Sequence, residues 1–154
     1  MVEILRDMGA DIRWEGSALV SRASRLHGLR VDCAQIPDLV PILAVAMAAA
    51  EGDSRITGAA RLRIKESDRL SAMAAALTAA GADAAELPDG LAIRGGKTLH
   101  AAKIEGCNDH RIVMAMAIAS ALSDGEWTIT DAEATAKSAP AFWQEFERLG
   151  GLAR

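Results

Sequence analysis

The sequence predicts an α/β fold of repeated β-α-β-α-β-β units, with buried helices and sheets on the outside. Three observations carry this. The chain repeats itself at an offset of 71–72 residues, helix-type and strand-type segments alternate within each copy, and two of the helices are apolar nearly all round. The repeat is visible in three separate places. The segment EILRDMGA from Glu3 matches AALTAAGA from Ala75, and a weaker third copy, EFERLGG, begins at Glu145. IPDLVPILAVAMAAAEGDSRITG aligns with CNDHRIVMAMAIASALSDGEWTITD, which moves Asp38 onto Asp109, while Lys65 moves onto Lys137.

Taken in order, Val2 to Met8 has the apolar spacing of one helical face. In the complete unit, Leu29 to Asp32 is a short strand. Leu39 to Glu51 is a helix ended by Gly52. Ser54 to Thr57 is a strand, and Ser67 to Ala80 a second helix closed by Gly81. Asp83 to Leu87 and Leu91 to Arg94 then form a hairpin about Pro88-Asp-Gly90. Ile42, Leu43, Val45 and Met47, and likewise Ile112, Val113, Met114, Met116 and Ile118, face every direction, as in helices buried on most sides. The expected organisation is one partial domain over 1–154, with units at about 1–28 (partial), 29–98 and 99–154 (partial). A helix starting at residue 2 with no lead-in suggests a piece of a longer chain.

Composition narrows the function. A chain of 154 residues, half of it hydrophobic, can bury a core of its own. A net charge of -4 implies no general affinity for nucleic acid. No apolar run is long enough to span a membrane, because the best candidate, Leu39 to Ala50, is one short helix containing Pro41. Cys33 and Cys107, without a CxxC pair, fit a reducing compartment, and the expected location is cytoplasmic. Three scattered histidines, His27, His100 and His110, make no metal site expected. Trp14, Trp127 and Trp143 read as isolated packing residues, and Cys107 as structural.

Charged residues gather where helices begin. Asp38 precedes one helix, and Lys65, Glu66, Asp68 and Arg69 surround the next. Asn108, Asp109, His110 and Arg111 open the third, and Lys137 and Ser138 the fourth. Asp38, Ser67, Asn108 and Ser138 are each ordinary N-caps taken singly. Arg69 alone reads as a surface residue paired with Glu66 or Asp68. Four such starts in one repeat register read differently. Cations at helix N-termini oppose the dipole unless an anion joins them, so the pattern points to a pocket for a ligand carrying phosphate and carboxylate. Asp38 and Glu66 are the carboxylates able to act as base or acid in it. His110 is open to two readings, a proton carrier or an orienting hydrogen-bond group.

These residues also resemble a known family. RIKESDRL from Arg63 looks like the KE[ST]DR segment of EPSP synthases, and CNDHR from Cys107 like their NDHR motif. Ile36-Pro-Asp38 is similar to their IPD motif, and Thr135-Ala-Lys137 with Ser-Ala-Pro to their TAK[ST]xP segment. The resemblance implies an enolpyruvyl transferase-type, inside-out α/β domain, of which this chain would be the C-terminal portion. It also implies transfer of the enolpyruvyl group of phosphoenolpyruvate to the 5-hydroxyl of shikimate 3-phosphate, with no metal or organic cofactor. Carried onto matching positions, Asp38 would bind the shikimate hydroxyls and act as base, with Lys65 in the same region. Glu66 would serve proton transfer at C3, and Arg69, Arg111 and Lys137 would hold phosphoenolpyruvate, with His110 nearby. Arg61 stands where that family has Asn or Glu, and is left outside the catalytic set. The implied partner is the missing N-terminal domain, so the isolated chain is expected to be an inactive half-site. The alternatives are a relative acting on UDP-N-acetylglucosamine, disfavoured by KESDR, a non-catalytic binding domain for a phosphorylated ligand, and a scaffold module.

Overall fold

The computed structural model describes residues 1–154. The elements alternate as the repeat requires. Helix α1 (Val2–Asp7) leads into the hairpin β1 (Asp11–Glu15) and β2 (Ala18–Arg22). The complete unit then runs β3 (Arg30–Asp32), α2 (Val40–Ala49), β4 (Asp53–Thr57), α3 (Arg69–Ala79), β5 (Asp83–Leu87) and β6 (Gly90–Arg94). The last part holds β7 (Lys103–Ile104), α4 (His110–Ser120), β8 (Thr128–Ile129) and α5 (Phe142–Arg148). Short 3-10 helices stand at Pro37–Leu39, Ala60–Ile64 and Ala132–Lys137. Several ends differ from expectation: α2 begins at Val40 and stops at Ala49, and α3 begins at Arg69.

The four-stranded sheet has the order β3-β4-β6-β5. The β3 and β4 strands are parallel on either side of α2, and β4, β6 and β5 are antiparallel. The β7 and β8 strands around α4 repeat the parallel pairing. Alternation along β4 turns Ser54 and Ile56 inward and Asp53 and Arg55 to solvent. Seven of the ten residues of α2 and seven of the eleven of α4 are buried, and the two helices pack against each other beneath the sheet. Their small side chains (Ala44, Ala48, Ala115, Ala119) permit close approach, while Leu43, Met47, Ile112 and Met116 fill the space between layers.

The repeated helix endings have one physical cause. In α3, the Gly81 N–H donates to the Thr78 carbonyl and the Ala82 N–H to the Leu77 carbonyl, with Gly81 at φ +89°. Helix α1 ends in the same way through Gly9 and Ala10, and α5 through Gly150 and Gly151. This paired C-terminal motif needs a left-handed residue, which glycine supplies without strain. A different constraint acts at Gly95, where an added Cβ would lie 1.8 Å from the Ala50 carbonyl oxygen. The end of α2 and the end of β6 therefore touch backbone to backbone.

Two aromatic expectations need correction. Trp14 does not pack in a core but stands 58% exposed on β1. Trp143 is not isolated: it makes edge contacts with Phe142 and Phe146, and its indole N–H donates to the Ala132 carbonyl at 3.0 Å. No helix is long and apolar enough to cross a membrane.

Candidate active site

The chain brings Asp38, Lys65, Glu66, Arg69, His110, Arg111 and Lys137 into one cluster. Five segments deliver them. The 3-10 turn Pro37–Leu39 carries Asp38, and the segment between the Ala60–Ile64 3-10 helix and α3 carries Lys65 and Glu66. The first turns of α3 and α4 carry Arg69, His110 and Arg111. Lys137 ends the third 3-10 helix, with Ser138 as its C-terminal cap. Lys137 and Ser138 therefore do not open a fourth α-helix, and only three of the expected four helix starts contribute.

The capping residues also shift by one. Asp68, not Ser67, caps α3, accepting from the Leu70 and Ser71 N–H groups at 3.2 and 3.1 Å. Asp109, not Asn108, caps α4, accepting from the Arg111 N–H at 2.9 Å. Asp38 makes no capping bond at all. Cys107 and Asn108 are both left-handed (φ 54° and 49°), as is Asp131 (φ 55°), whose carboxylate accepts the Asn108 N–H. Three non-glycine residues in this sparsely populated region carry strain of order 1–3 kcal/mol each, two where the chain turns into α4 and one at the entry to the Ala132–Lys137 3-10 helix.

Arg69 is the centre of the cluster and is 2% exposed, so it is not the surface residue its own surroundings in sequence suggest. Its Nε donates to Asp109 Oδ2 at 2.8 Å, and its Nη2 to Asp109 Oδ1 at 3.2 Å and Glu66 Oε2 at 2.8 Å. Its Nη1 donates to Asp38 Oδ1 at 3.0 Å. The anions that compensate this cation at a helix start are thus the protein's own carboxylates. Burial works against its charge, and the bonds it donates to Asp109, with the charges of Asp109, Glu66 and Asp38, more than offset that, holding the guanidinium above its ordinary range.

The other cations are held loosely. Lys65 Nζ lies 4.0 Å from Asp38 Oδ1, and Arg111 Nη2 lies 3.9 Å from Asp38 Oδ2. The Nε of Arg111 is buried with no partner. Lys137 Nζ donates to Glu66 Oε1 at 2.5 Å but is 58% exposed. Four cations meet three carboxylates here, so one positive charge is uncompensated. Beside them opens a cleft of about 200 Å³, walled by Pro41, Ile42, Met114 and Phe142 and edged by Asp38 and Arg111.

Protonation follows from these contacts. The hydrogen bond from Lys137, joined by the residue's own backbone N–H and the charge of Arg69, lowers Glu66 to about 2. It is therefore ionised, and its contribution to stability is full above its ordinary value of 4.5 and fades as pH falls toward 2. Replacing Lys137 by Ala should move the Glu66 carboxyl titration from about 2 toward 4.5, as read by carbon NMR of the side chain. An unmoved titration would assign the effect to Arg69 instead. Burial lowers His110 below its ordinary range, so its imidazole is neutral near pH 7. Its Nδ1 sits 3.8 Å from Asp109 Oδ1 with no hydrogen-bond partner.

Asp109 and Ser67 belong to the cluster although sequence reasoning left both out. Asp109 is visible in the sequence as the repeat partner of Asp38, whereas Ser67 reads there only as a helix cap; its hydroxyl donates to Asp109 Oδ2 at 2.9 Å.

Comparison with known proteins agrees with the motifs. A 3-phosphoshikimate 1-carboxyvinyltransferase of Clostridium acetobutylicum is 46% identical over 151 residues, covering 98% of this chain and 35% of the relative. The chain thus spans about a third of the length of the curated relatives it matches. The solved EPSP synthase of Acinetobacter baumannii superposes with a TM-score of 0.82 at 35% identity, over 99% of this chain and 38% of that one. The enolpyruvyl transferase NikO of Streptomyces tendae superposes at 0.83 with 20% identity, over 99% of this chain and 35% of that one, and so shares the fold. The profile of EPSP synthase (3-phosphoshikimate 1-carboxyvinyltransferase) matches residues 1–146, and the chain belongs to that family.

Proposed function

We propose that this chain supplies the C-terminal part of a site that transfers the enolpyruvyl group of phosphoenolpyruvate to the 5-hydroxyl of shikimate 3-phosphate. The observation that carries the reading is the uncompensated cationic cluster, in which Lys65, Arg111 and Lys137 all have capacity for an external anion. In the addition step, Asp38 takes the proton of the 5-hydroxyl as its oxygen bonds to C2, and C3 gains a proton. In the elimination step the C2–O bond to phosphate breaks and C3 loses a proton, leaving the enol ether and inorganic phosphate. Fixed cations stabilise the charge as it moves through both steps without reorganising.

Glu66 serves proton transfer at C3. While Lys137 donates to it, it is too weak a base to hold a proton. An arriving phosphoenolpyruvate would draw Lys137 away, and Glu66 would then rise into a useful range. Arg111 and Lys137 hold the substrate's phosphate and carboxylate, with the one N–H that Arg69 leaves unused added to them. Lys65 and Asp38 face the shikimate ring, and neutral His110 orients rather than carries protons. The whole protein would work in the cytoplasm, as its two unpaired thiols suggest.

The relatives' extra length supports a further domain that completes the cleft, and this chain alone should then be inactive. Phosphate release from phosphoenolpyruvate tests the reading, using this chain mixed with the N-terminal part of its own protein. Release with shikimate 3-phosphate but not with UDP-N-acetylglucosamine is expected. Release only with the sugar nucleotide would reassign the acceptor, and release with neither from a folded complex would favour a non-catalytic binding role.

A further inference from the structure

Asp109 is the only buried carboxylate in the chain, at 0% exposure. No substrate can touch it. Its two oxygens nevertheless accept four hydrogen bonds, which fills their ordinary capacity. Oδ2 takes Arg69 Nε at 2.8 Å and the Ser67 hydroxyl at 2.9 Å. Oδ1 takes Arg69 Nη2 at 3.2 Å and the Arg111 N–H at 2.9 Å. Two parallel bonds to one guanidinium fix its plane as well as its position.

The repeat gives this arrangement a second meaning. Asp109 and Asp38 occupy equivalent places in successive units, and both bind Arg69, one from beneath and one from the open side. The two aspartates have divided their duties: Asp38, half exposed, faces the cleft, and Asp109 is withdrawn into the core. A buried ion pair is weak as a stabilising device, since apolar residues of like volume often serve as well or better. Its worth here lies in geometry. It sets the guanidinium of Arg69, and through the cap it sets the first turn of α4, from which Arg111 projects.

We infer that Asp109 is a positioning residue that aligns Arg69 and Arg111 toward a single substrate anion, with Ser67 locking its carboxylate in place. The inference rests on the phosphoenolpyruvate reading given above. It differs from a packing role in what it predicts about the two substrates. If alignment is lost, the substrate held by Arg69 and Arg111 suffers and the other does not.

The test uses the full-length enzyme carrying Asp109→Asn, which keeps the shape and one acceptor oxygen. The KM for phosphoenolpyruvate should rise on the order of tenfold, as expected for loss of a charged hydrogen-bond partner, while that for shikimate 3-phosphate stays within about twofold. A lower Tm and lower kcat with both KM values unchanged would reduce Asp109 to a packing residue and overturn the inference. Should Asp109→Asn not fold, Ser67→Ala decides. It should raise the KM for phosphoenolpyruvate about threefold and leave the other substrate alone, because a single hydrogen bond to the same carboxylate is lost. Equal change in both, or none, would overturn it. A wild-type enzyme that turns over neither substrate would instead remove the functional reading, and this inference with it.

Discussion

Replacing Arg69 by Ala is expected to destabilise the isolated chain by about 3–5 kcal/mol, seen as a fall in the urea midpoint with little change in slope. The size follows from what the substitution leaves behind. Asp38 and Glu66 are 49% and 26% exposed and can recover water. Asp109 cannot, being fully buried between the starts of α3 and α4 with its remaining bonds only from Ser67 and a backbone N–H. Burial already opposes its ionisation, and the Arg69 bonds are the largest of the contacts, with the Arg111 N–H and the Ser67 hydroxyl, that outweigh it and keep the carboxyl below its ordinary range. Without them a charge is stranded in a low-dielectric site. The double variant Arg69→Met with Asp109→Leu should recover most of the loss, since neither charge then remains. A single variant costing less than about 1 kcal/mol, the range of exposed ion pairs, would mean that Asp109 finds water or another donor.

Arg111→Ala should do the reverse, with a small effect on stability and a large one on function. Its guanidinium is 34% exposed and comes no nearer than 3.9 Å to Asp38, so the folded chain should lose no more than about 1 kcal/mol. In the complete enzyme the same change should cost about 2–5 kcal/mol of phosphoenolpyruvate binding, the range for one member of a desolvated charge pair. That is roughly thirtyfold or more in the concentration of phosphoenolpyruvate required. The requirement for shikimate 3-phosphate should be nearly unchanged. A parallel loss for both substrates would take Arg111 out of the phosphoenolpyruvate site. The contrast between the two arginines is the informative result: two cations of one cluster, one with four of its five N–H groups on the protein's own carboxylates and one left with an unpartnered Nε.

Much of this was legible in the chain itself. The offset that carries Lys65 to Lys137 also carries β1 to the place of β5 and β2 to that of β6. Glycine at 9, 81 and 150 marks the same left-handed helix ending each time, because that backbone conformation is costly for any residue with a Cβ. Apolar residues all round Leu43 to Met47 and Ile112 to Met116 pointed to burial on most sides. The motif residues named from sequence do come together in one cluster.

What sequence could not supply was the allocation of charge within that cluster. The residues flanking Arg69 in sequence made it a surface partner of Glu66 or Asp68; its principal partner, Asp109, lies 40 residues away and beneath it. Ser67 and Asn108 are as good caps as Asp68 and Asp109 by residue type, and backbone angles at the turn chose between them. Lys137 reads as a helix start but ends a 3-10 helix, because Asp131 enters that segment in a left-handed conformation and the next α-helix waits until Phe142. Periodicity and spacing report which side of an element meets the core, and so the sequence by itself determined the repeat, the layers and most of the residues that gather in the cluster. Which cation is buried, and which is left free for a ligand, depends on distances between units far apart in the chain, and only the tertiary structure decided that.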